Sequence, residues 1–495
     1  MGTVQKNFLY NVAYQILILL LPLITAPYIS RTLGATAAGI YSYTNSVAYY
    51  FLMAAMLGIS NHGNRSVAAV RNNPEKLKRV FSSIYMLQIC TFSIAIAAYI
   101  IYCMFVVNDN KIIAALQLLY VASGLLDISW LFFGLEKFKL TVGRNILIKS
   151  ATVLCMFVFV HDPGDLWKYT LIMSAGTFLS QAYLWMYVKK ETEFIKVPFA
   201  EVADNFKPVC VLFIPVLSYS IYKVMDKIML GQMSTYAQVG YYQNAEKIIS
   251  IPMGIITAFG TVMLPRMSNI IAEGDREKSK SYIRLSTKFV TLLCSPIAFG
   301  LMGISAVLAP VYLGEEFSAC TPLISILSLT VFFVAWANVI RTQYLIPCHY
   351  DRVYILSTIV GALVNLIINM ALIPVWEGVG AALGTVAAEF SVMIIQMIYV
   401  RKRLHIHRYI LTYLPVIFAG FFMMTVVRLI GNILGINILS LILQIFTGAV
   451  IFISLTAVYF YMSGDELGIM LKKSIAEKSP AILKPDKNKN KPEQL

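Results

Sequence analysis

PVCVLFIPVLSYSIYKVMDKIMLGQM, residues 208–233, is an apolar run long enough to cross a bilayer, interrupted near its end by Lys223, Asp226 and Lys227. A hydrocarbon core about 30 Å thick calls for about 20 consecutive apolar residues in a helix. Similar runs fill the chain on both sides. Windows fall near 8–31, 37–61, 80–106, 112–134, 145–161, 168–188, 208–233, 240–265, 285–312, 320–346, 354–375, 380–400, 410–430 and 438–462. Their continuity predicts helices, because strands of a membrane barrel alternate polar and apolar residues. With 58% hydrophobic and 13% charged residues in 495, a soluble globular chain is excluded.

Charge sets an expected orientation. Lys and Arg accumulate on cytoplasmic connections of membrane proteins. If the N-terminus is inside, most of the 40 basic residues fall on inside segments, at 62–79, 137–144, 189–207, 266–288 and 401–408 and after Gly464. Outside connections hold only Arg31, Lys111 and Lys168. Both termini are therefore expected in the cytoplasm, and the net charge of +15 needs no nucleic acid to explain it. The first span contains Pro22 and Pro27 and lacks a small-residue cleavage site, so it reads as a retained helix and not a signal peptide. The tail, 464–495, ends in Lys, Pro and Asn, a composition too polar to bury a core, and is expected to be disordered after an amphipathic turn at Leu467, Met470, Leu471 and Ile475.

A weak internal repeat divides the chain. Leu21-Pro22-Leu23-Ile24-Thr25 precedes Leu33-Gly34 and Gly39-Ile40-Tyr41; Ile214-Pro215-Val216-Leu217-Ser218 precedes Leu230-Gly231 and Gly240-Tyr241-Tyr242. Each copy opens a set of six spans, so the copies are parallel, related by an axis along the membrane normal, as in several transporter folds. The expected organisation is all-α: a six-helix lobe over 1–200, a second over 201–408, two further helices over 409–463, and the basic tail.

Charges inside the bilayer cost a few kcal/mol on insertion scales and mark functional sites by default. Lys223, Asp226 and Lys227 stand at i, i+3 and i+4, hence on one helical face, and Glu246 and Lys247 follow on the next span. Other spans carry Asp127, Lys149, Arg341, Glu389 and Arg428. Arg31 is near an outer end, and Lys149 and Arg341 are within snorkelling reach of an interface. One reading is a wet central cavity with cationic walls, suited to a phosphate. The other is helix-to-helix glue, with Asp226 neutralising one lysine and Glu246 the other. Polar stripes add Asn7, Asn11 and Gln15 on span one, Ser42, Asn45 and Tyr49 on span two, and Asn365 and Asn369 on span eleven. Asn11, Gln15, Asn45 and Tyr49 are candidate sugar contacts; against that stands interhelical hydrogen bonding, worth about 0.6 kcal/mol per pair.

Catalysis finds little support. The seven cysteines are dispersed without CxxC spacing, His405 and His407 lack carboxylate companions, and no phosphate-binding Gly-x-x-x-x-Gly-Lys-Ser/Thr loop occurs. No metal or cofactor is expected. A proton or sodium ion coupled through Asp226, Glu246 or Glu389 is an additional reading.

Several stretches resemble Wzx-type polysaccharide repeat-unit flippases of the multidrug/oligosaccharidyl-lipid/polysaccharide exporter superfamily. They are Asn11-Val-Ala-Tyr-Gln15, Pro22 through Gly34, Asp226-Lys-Ile-Met-Leu-Gly231, Val239-Gly-Tyr-Tyr242 with Ala245-Glu-Lys247, Leu313-Gly-Glu-Glu-Phe317 and Gly380-Ala-Ala-Leu-Gly-Thr385. The resemblance implies two facing six-helix lobes with alternating access. It also implies a substrate of undecaprenyl-diphosphate-linked oligosaccharide, moved outward for capsule, O-antigen or exopolysaccharide assembly, with polymerase and chain-length proteins as pathway partners. By the same resemblance Arg31, Lys223, Lys227 and Lys247 would meet the diphosphate, and spans thirteen and fourteen would form a lipid-tail groove. Two alternatives fit less well. A drug or cation antiporter needs an acidic cavity, whereas bases exceed acids here. A membrane polymerase or ligase typically needs a large outer loop, and the outer connections are short.

Overall fold

The computed structural model describes residues 3–463, with side chains from position 21 onward apart from 214, 215, 218, 219 and 222. The expected tail turn, 464–495, and the side chains of Asn11 and Gln15 lie outside the described residues. All regular structure among those residues is helical. The first part of the chain contains α1 (Thr3–Met56), α2 (Ile59–Val70), α3 (Pro74–Phe105), α4 (Lys111–Leu116), α5 (Leu118–Ser123), α6 (Ser129–Gly134), α7 (Phe138–Phe159), α8 (Leu166–Val188) and α9 (Phe199–Asp204). Then follow α10 (Phe206–Met233), α11 (Tyr236–Ala272), α12 (Arg276–Leu308), α13 (Cys320–Leu327), α14 (Thr330–Ile340), α15 (Asp351–Val400), α16 (Ile406–Thr412), α17 (Leu414–Leu434) and α18 (Ile438–Ser463).

Every expected window is helical, although 37–61, 112–134, 320–346 and 410–430 each take in more than one of these helices. Among the described residues nine segments are long and apolar enough to cross a membrane, α15 counted once. Two elements are pairs of spans. Gly34 adopts φ 75° and ψ 177°, a conformation open to glycine, and interrupts α1. Residues on either side of it, Thr25 and Asn45 among them, line one cavity, so the chain doubles back there. In α15 the break is at Glu377, φ 49° and ψ −124°. Asn369 and Thr385, on either side, both bond Asp226.

The helices outrun the apolar windows at the basic end. The expected connection 266–284 shrinks to the turn Glu273–Asp275, with Gly274 at φ 78° and Asp275 accepting from the Lys278 amide at 2.9 Å. Hydropathy marks where a helix leaves hydrocarbon, not where its hydrogen bonds stop. The same effect corrects two residues counted among loop charges. Arg144 is 5% exposed and donates to Gln181 Oε1 at 2.8 Å. Lys288 is 3% exposed, with its ammonium 5.6 Å from the ring centres of both Tyr413 and Phe460.

Separate cores serve the two halves. One gathers Phe81, Trp130, Phe132 and Leu184 from α3, α6 and α8. Another gathers Tyr242, Met267, Ile283, Phe317 and Val339 from the second half and takes in Ala26 and Ala35 of α1. The pair α17–α18 packs on α12 through Val416, Met423, Val427 and Phe452. Its other faces leave Phe418, Phe422, Phe446 and Ile453 exposed, an apolar surface that only lipid would satisfy. The chain is a multi-pass membrane protein.

Candidate functional site

The two repeat motifs meet face to face. A Cβ on Gly39 would stand 1.7 Å from the Tyr236 carbonyl oxygen, and one on Gly240 would stand 2.1 Å from that of Ala35. Tyr236 and Gly240 are the second-half counterparts of Ala35 and Gly39, so the contact is reciprocal about a pseudo-two-fold axis. Only glycine permits this approach. One turn further in, Ser42 Oγ donates to Gln243 Oε1 at 3.0 Å, again between counterpart positions.

Two polar contacts bind the halves at the same end. Glu316 Oε1 accepts from the amide of Ala35, the first residue after the Gly34 break, at 3.1 Å. The Arg31 guanidinium donates to the Val311 carbonyl at 2.5 Å. Within the second half, Gln238 Nε2 donates to Glu377 Oε2 at 2.7 Å and ties α11 to the break in α15.

Beneath this closure is a cavity of about 300 Å³ between the halves. From α1 it receives Thr25, Tyr41, Ser42, Asn45 and Ser46, from α8 Tyr169, from α10 Lys227, and from α11 Gln243, Asn244 and Lys247. Lys227 Nζ lies 2.9 Å from Glu246 Oε2. Among the described residues no carboxylate lies within 4 Å of the Lys247 ammonium. Amides and hydroxyls thus surround one lysine in direct contact with Glu246 and a second with no carboxylate within 4 Å, a wall able to accept an anion carrying a polyhydroxylated group.

Lys223 points elsewhere. It lies 3.6 Å from Glu389 Oε1 and lines a second cavity of about 280 Å³ inside the second half, together with Glu246 and Arg341. Asp226 pairs with neither lysine. Its carboxylate, 1% exposed, accepts from Tyr242 Oη at 2.6 Å, Thr385 Oγ1 at 2.7 Å and Asn369 Nδ2 at 2.5 Å. Of the helix-to-helix glue reading, the pairing of Glu246 with a lysine is found, and the pairing of Asp226 with one is corrected. Glu246 takes Lys227, Glu389 takes Lys223, and neutral donors hold Asp226, because the face of α10 that carries Asp226 packs on α15.

Beside α17 and α18 lies a third cavity, about 590 Å³, lined by Leu23 of α1, Ile251 and Pro252 of α11, Ile297 and Gly300 of α12, and Val427, Gly448 and Phe452. Gln444 is its one amide, and its Nε2 is engaged with the Val427 carbonyl at 2.9 Å.

Residues 4–271, from the start of α1 to the end of α11, match the family model described as "Polysaccharide biosynthesis protein". The chain belongs to this family. The matched part contains the reciprocal glycine contact, Lys227 and Lys247. A protein of Escherichia coli strain K12 described as "Putative O-antigen transporter" is 24% identical over 81% of the chain and 97% of its own length. One of Haloferax volcanii described as "Probable low-salt glycan biosynthesis flippase Agl15" is 23% identical over 87% of the chain and 91% of its own length. Among solved structures, "Lipid II flippase MurJ, inward closed conformation" superposes with a TM-score of 0.72 at 16% identity, covering 92% of this chain and 98% of that one. An inward-facing multidrug transporter of the MATE family, of the MOP superfamily, gives 0.55 at 12% identity, covering 79% and 98%. The fold resemblance read from the sequence is borne out.

Of the site residues expected in this polysaccharide biosynthesis family member, Lys227, Lys247 and Asn45 come together in the cavity between halves. Lys223, Glu246 and Glu389 gather in the second cavity. Arg31 belongs to the closure and lines neither. Tyr49 packs edge-on to Tyr50, with ring centres 6.2 Å apart, and lines neither cavity. Sequence reading missed Gln243 and Asn244, which follow the quoted Gly240-Tyr241-Tyr242 motif directly. It also missed the role of Glu316, although the quoted Leu313–Phe317 stretch contained it.

Proposed function

We propose that the protein flips undecaprenyl-diphosphate-linked oligosaccharide repeat units across the bacterial cytoplasmic membrane by alternating access, for O-antigen, capsule or exopolysaccharide assembly. The observation that carries this reading is Lys247, a cation without a carboxylate partner among the described residues, in a cavity between halves that is otherwise lined with amides and hydroxyls. A half-buried ammonium with no carboxylate in contact keeps its donors open, and a diphosphate entering the cavity can take them. Lys227 contributes once Glu246 yields part of its hold, and Asn45, Gln243 and Tyr41 face the adjoining sugar. The apolar cavity along α17 and α18 supports the lipid part, since a polyprenyl chain can lie against Ile297, Gly300 and Phe452 while the polar head crosses between halves.

With both termini in the cytoplasm, the Gly39–Gly240 closure is on the outer side, and the cavity loads from within. A diphosphate diester carries about two negative charges, and an inside-negative potential drives them outward, releasing roughly 2.3 kcal/mol per charge per 100 mV. An ion can add to this bias. Asp226 is the group for it: a buried carboxylate among neutral donors is stable only when hydrogen-bonded, protonated or joined by a cation. Polymerase and chain-length proteins of the same pathway are the expected partners.

The experiment is replacement of Lys247 in cells. Lys247→Ala leaves lipid-linked repeat units on the inner leaflet and depletes surface polymer, and Lys247→Arg restores export in part. Normal polymer with Lys247→Ala, at normal protein abundance, refutes the assignment.

A further inference from the structure

We propose that a recess at the basic end of the second half binds a phosphate-bearing group, independently of the cavity between the halves. The recess, about 650 Å³, shares no lining residue with the three cavities already described. It is framed by Arg276 and Lys280 at the start of α12, by Tyr344 and Tyr350 in the bend between α14 and α15, and by Lys402 and Arg403 just past α15. Three separate parts of the chain thus bring four cations to one hollow.

The single lining carboxylate does not balance them. Asp275 is committed to the α12 N-terminus through the Lys278 amide, at 2.9 Å. Glu277, outside the recess, offsets Lys280 at 2.9 Å. Arg276 and Lys402 have no carboxylate within 4 Å among the described residues. A cation in the first turn of a helix also opposes its dipole, whose positive end points the same way, so Arg276 raises a potential that an anion lowers.

The tyrosines are set as donors. Arg403 donates to Tyr350 Oη, lies over its ring at 5.1 Å, and approaches Tyr344 Oη at 3.4 Å. These contacts hold the Arg403 guanidinium well above its ordinary pKa, so it stays charged. Each phenol oxygen accepts from Arg403, which leaves its own proton to donate into the recess. Phosphate oxygens match a guanidinium, ammonium groups and phenolic O–H groups together, whereas a carboxylate ligand would leave donors unused. Two sources carry this chemistry: an anionic phospholipid headgroup and a soluble phosphate ester.

The test uses the full chain in nanodiscs and two probes, phosphatidylglycerol retained in native mass spectrometry and inorganic pyrophosphate titrated in neutral-lipid discs. The double variant Arg276→Gln/Lys402→Gln spares Arg403 and its tyrosine contacts, and Lys76→Gln/Lys139→Gln removes the same charge from another basic region. Loss of two charge-assisted bonds weakens one probe by about tenfold or more in the first variant, while the control stays near wild type. An effect on phosphatidylglycerol alone identifies the headgroup; an effect on pyrophosphate alone identifies a soluble ester. Equal weakening in both double variants, or binding of neither probe to the wild type, overturns the proposal.

Discussion

Ser42 and Gln243 hold counterpart positions in the two halves and are hydrogen-bonded to each other at 3.0 Å, so the pseudo-two-fold axis passes between them. They sit at the floor of the glycine contact and at the roof of the cavity. Cysteines at both positions, in a background without the seven native cysteines, should cross-link on oxidation. Cross-linking should stop export, and reduction should restore it. Export that continues through a fully cross-linked pair contradicts a carrier that must open here.

Gly240→Val should have the opposite effect. The added carbons would collide with the Ala35 carbonyl, at a separation that no side-chain adjustment relieves. The closed end should part, and a cysteine at position 45 should then react with charged reagents applied outside. Export should fall by at least the factor of ten that about 1.4 kcal/mol represents, because one of the two alternating states is lost.

Asp226→Asn keeps the shape of the side chain while removing its charge. If Asp226 couples an ion, transport by the variant should lose its dependence on pH or on sodium, measured as labelled lipid-linked oligosaccharide flipped in proteoliposomes. The melting temperature should change little, since Asn can still accept from Tyr242 or Thr385. Unchanged ion dependence would remove Asp226 from the mechanism.

Gly300→Trp should obstruct the apolar cavity. A Cβ there meets only Met423 Cε, at 3.7 Å, so a large ring can enter the space that a polyprenyl chain would use. Folding and abundance should hold while export drops, most strongly for long-tailed substrates. Equal activity on short and long tails would disconnect the cavity from lipid.

Gln88 is the stability test. It is fully buried, donates to the Gly124 and Asp127 carbonyls at 2.7 and 3.0 Å, and accepts from Trp130 Nε1 at 3.1 Å. It thereby satisfies the backbone where the fourth span is broken between α5 and α6. Gln88→Leu leaves those groups bare at about 1–3 kcal/mol each, and a clear drop in melting temperature should follow.

Helix positions were legible because the thickness of hydrocarbon dictates the length of an apolar run. The break at Gly34 was legible too, since Leu33-Gly34 recurs as Leu230-Gly231. The break at Glu377 was not: a glutamate at positive φ carries no compositional mark, and only its bond to Gln238 explains why it is held there. For the site, spacing placed Lys223, Asp226 and Lys227 on one face but could not choose their partners. Glu246 lies within a few turns along the chain, whereas Glu389, Asn369 and Thr385 arrive from α15 by tertiary packing. Arg144 and Lys288 were misplaced for a related reason. Their polarity suggested a connection, yet an amide and two aromatic rings make burial tolerable.

Beside the glycine contact, two of the polar links that close this end are peripheral hydrogen bonds: Glu316 to the Ala35 amide and Arg31 to the Val311 carbonyl. When the halves part, water can take over each of these bonds almost one for one, and a typical exchange of that kind is worth only about 0.5–1.5 kcal/mol. The deeper contacts around Asp226 lie wholly within the second half and need not break at all. The polar part of the closure therefore resists opening by little, and what opposes it is the close packing of α1 on α11 around Gly39 and Gly240.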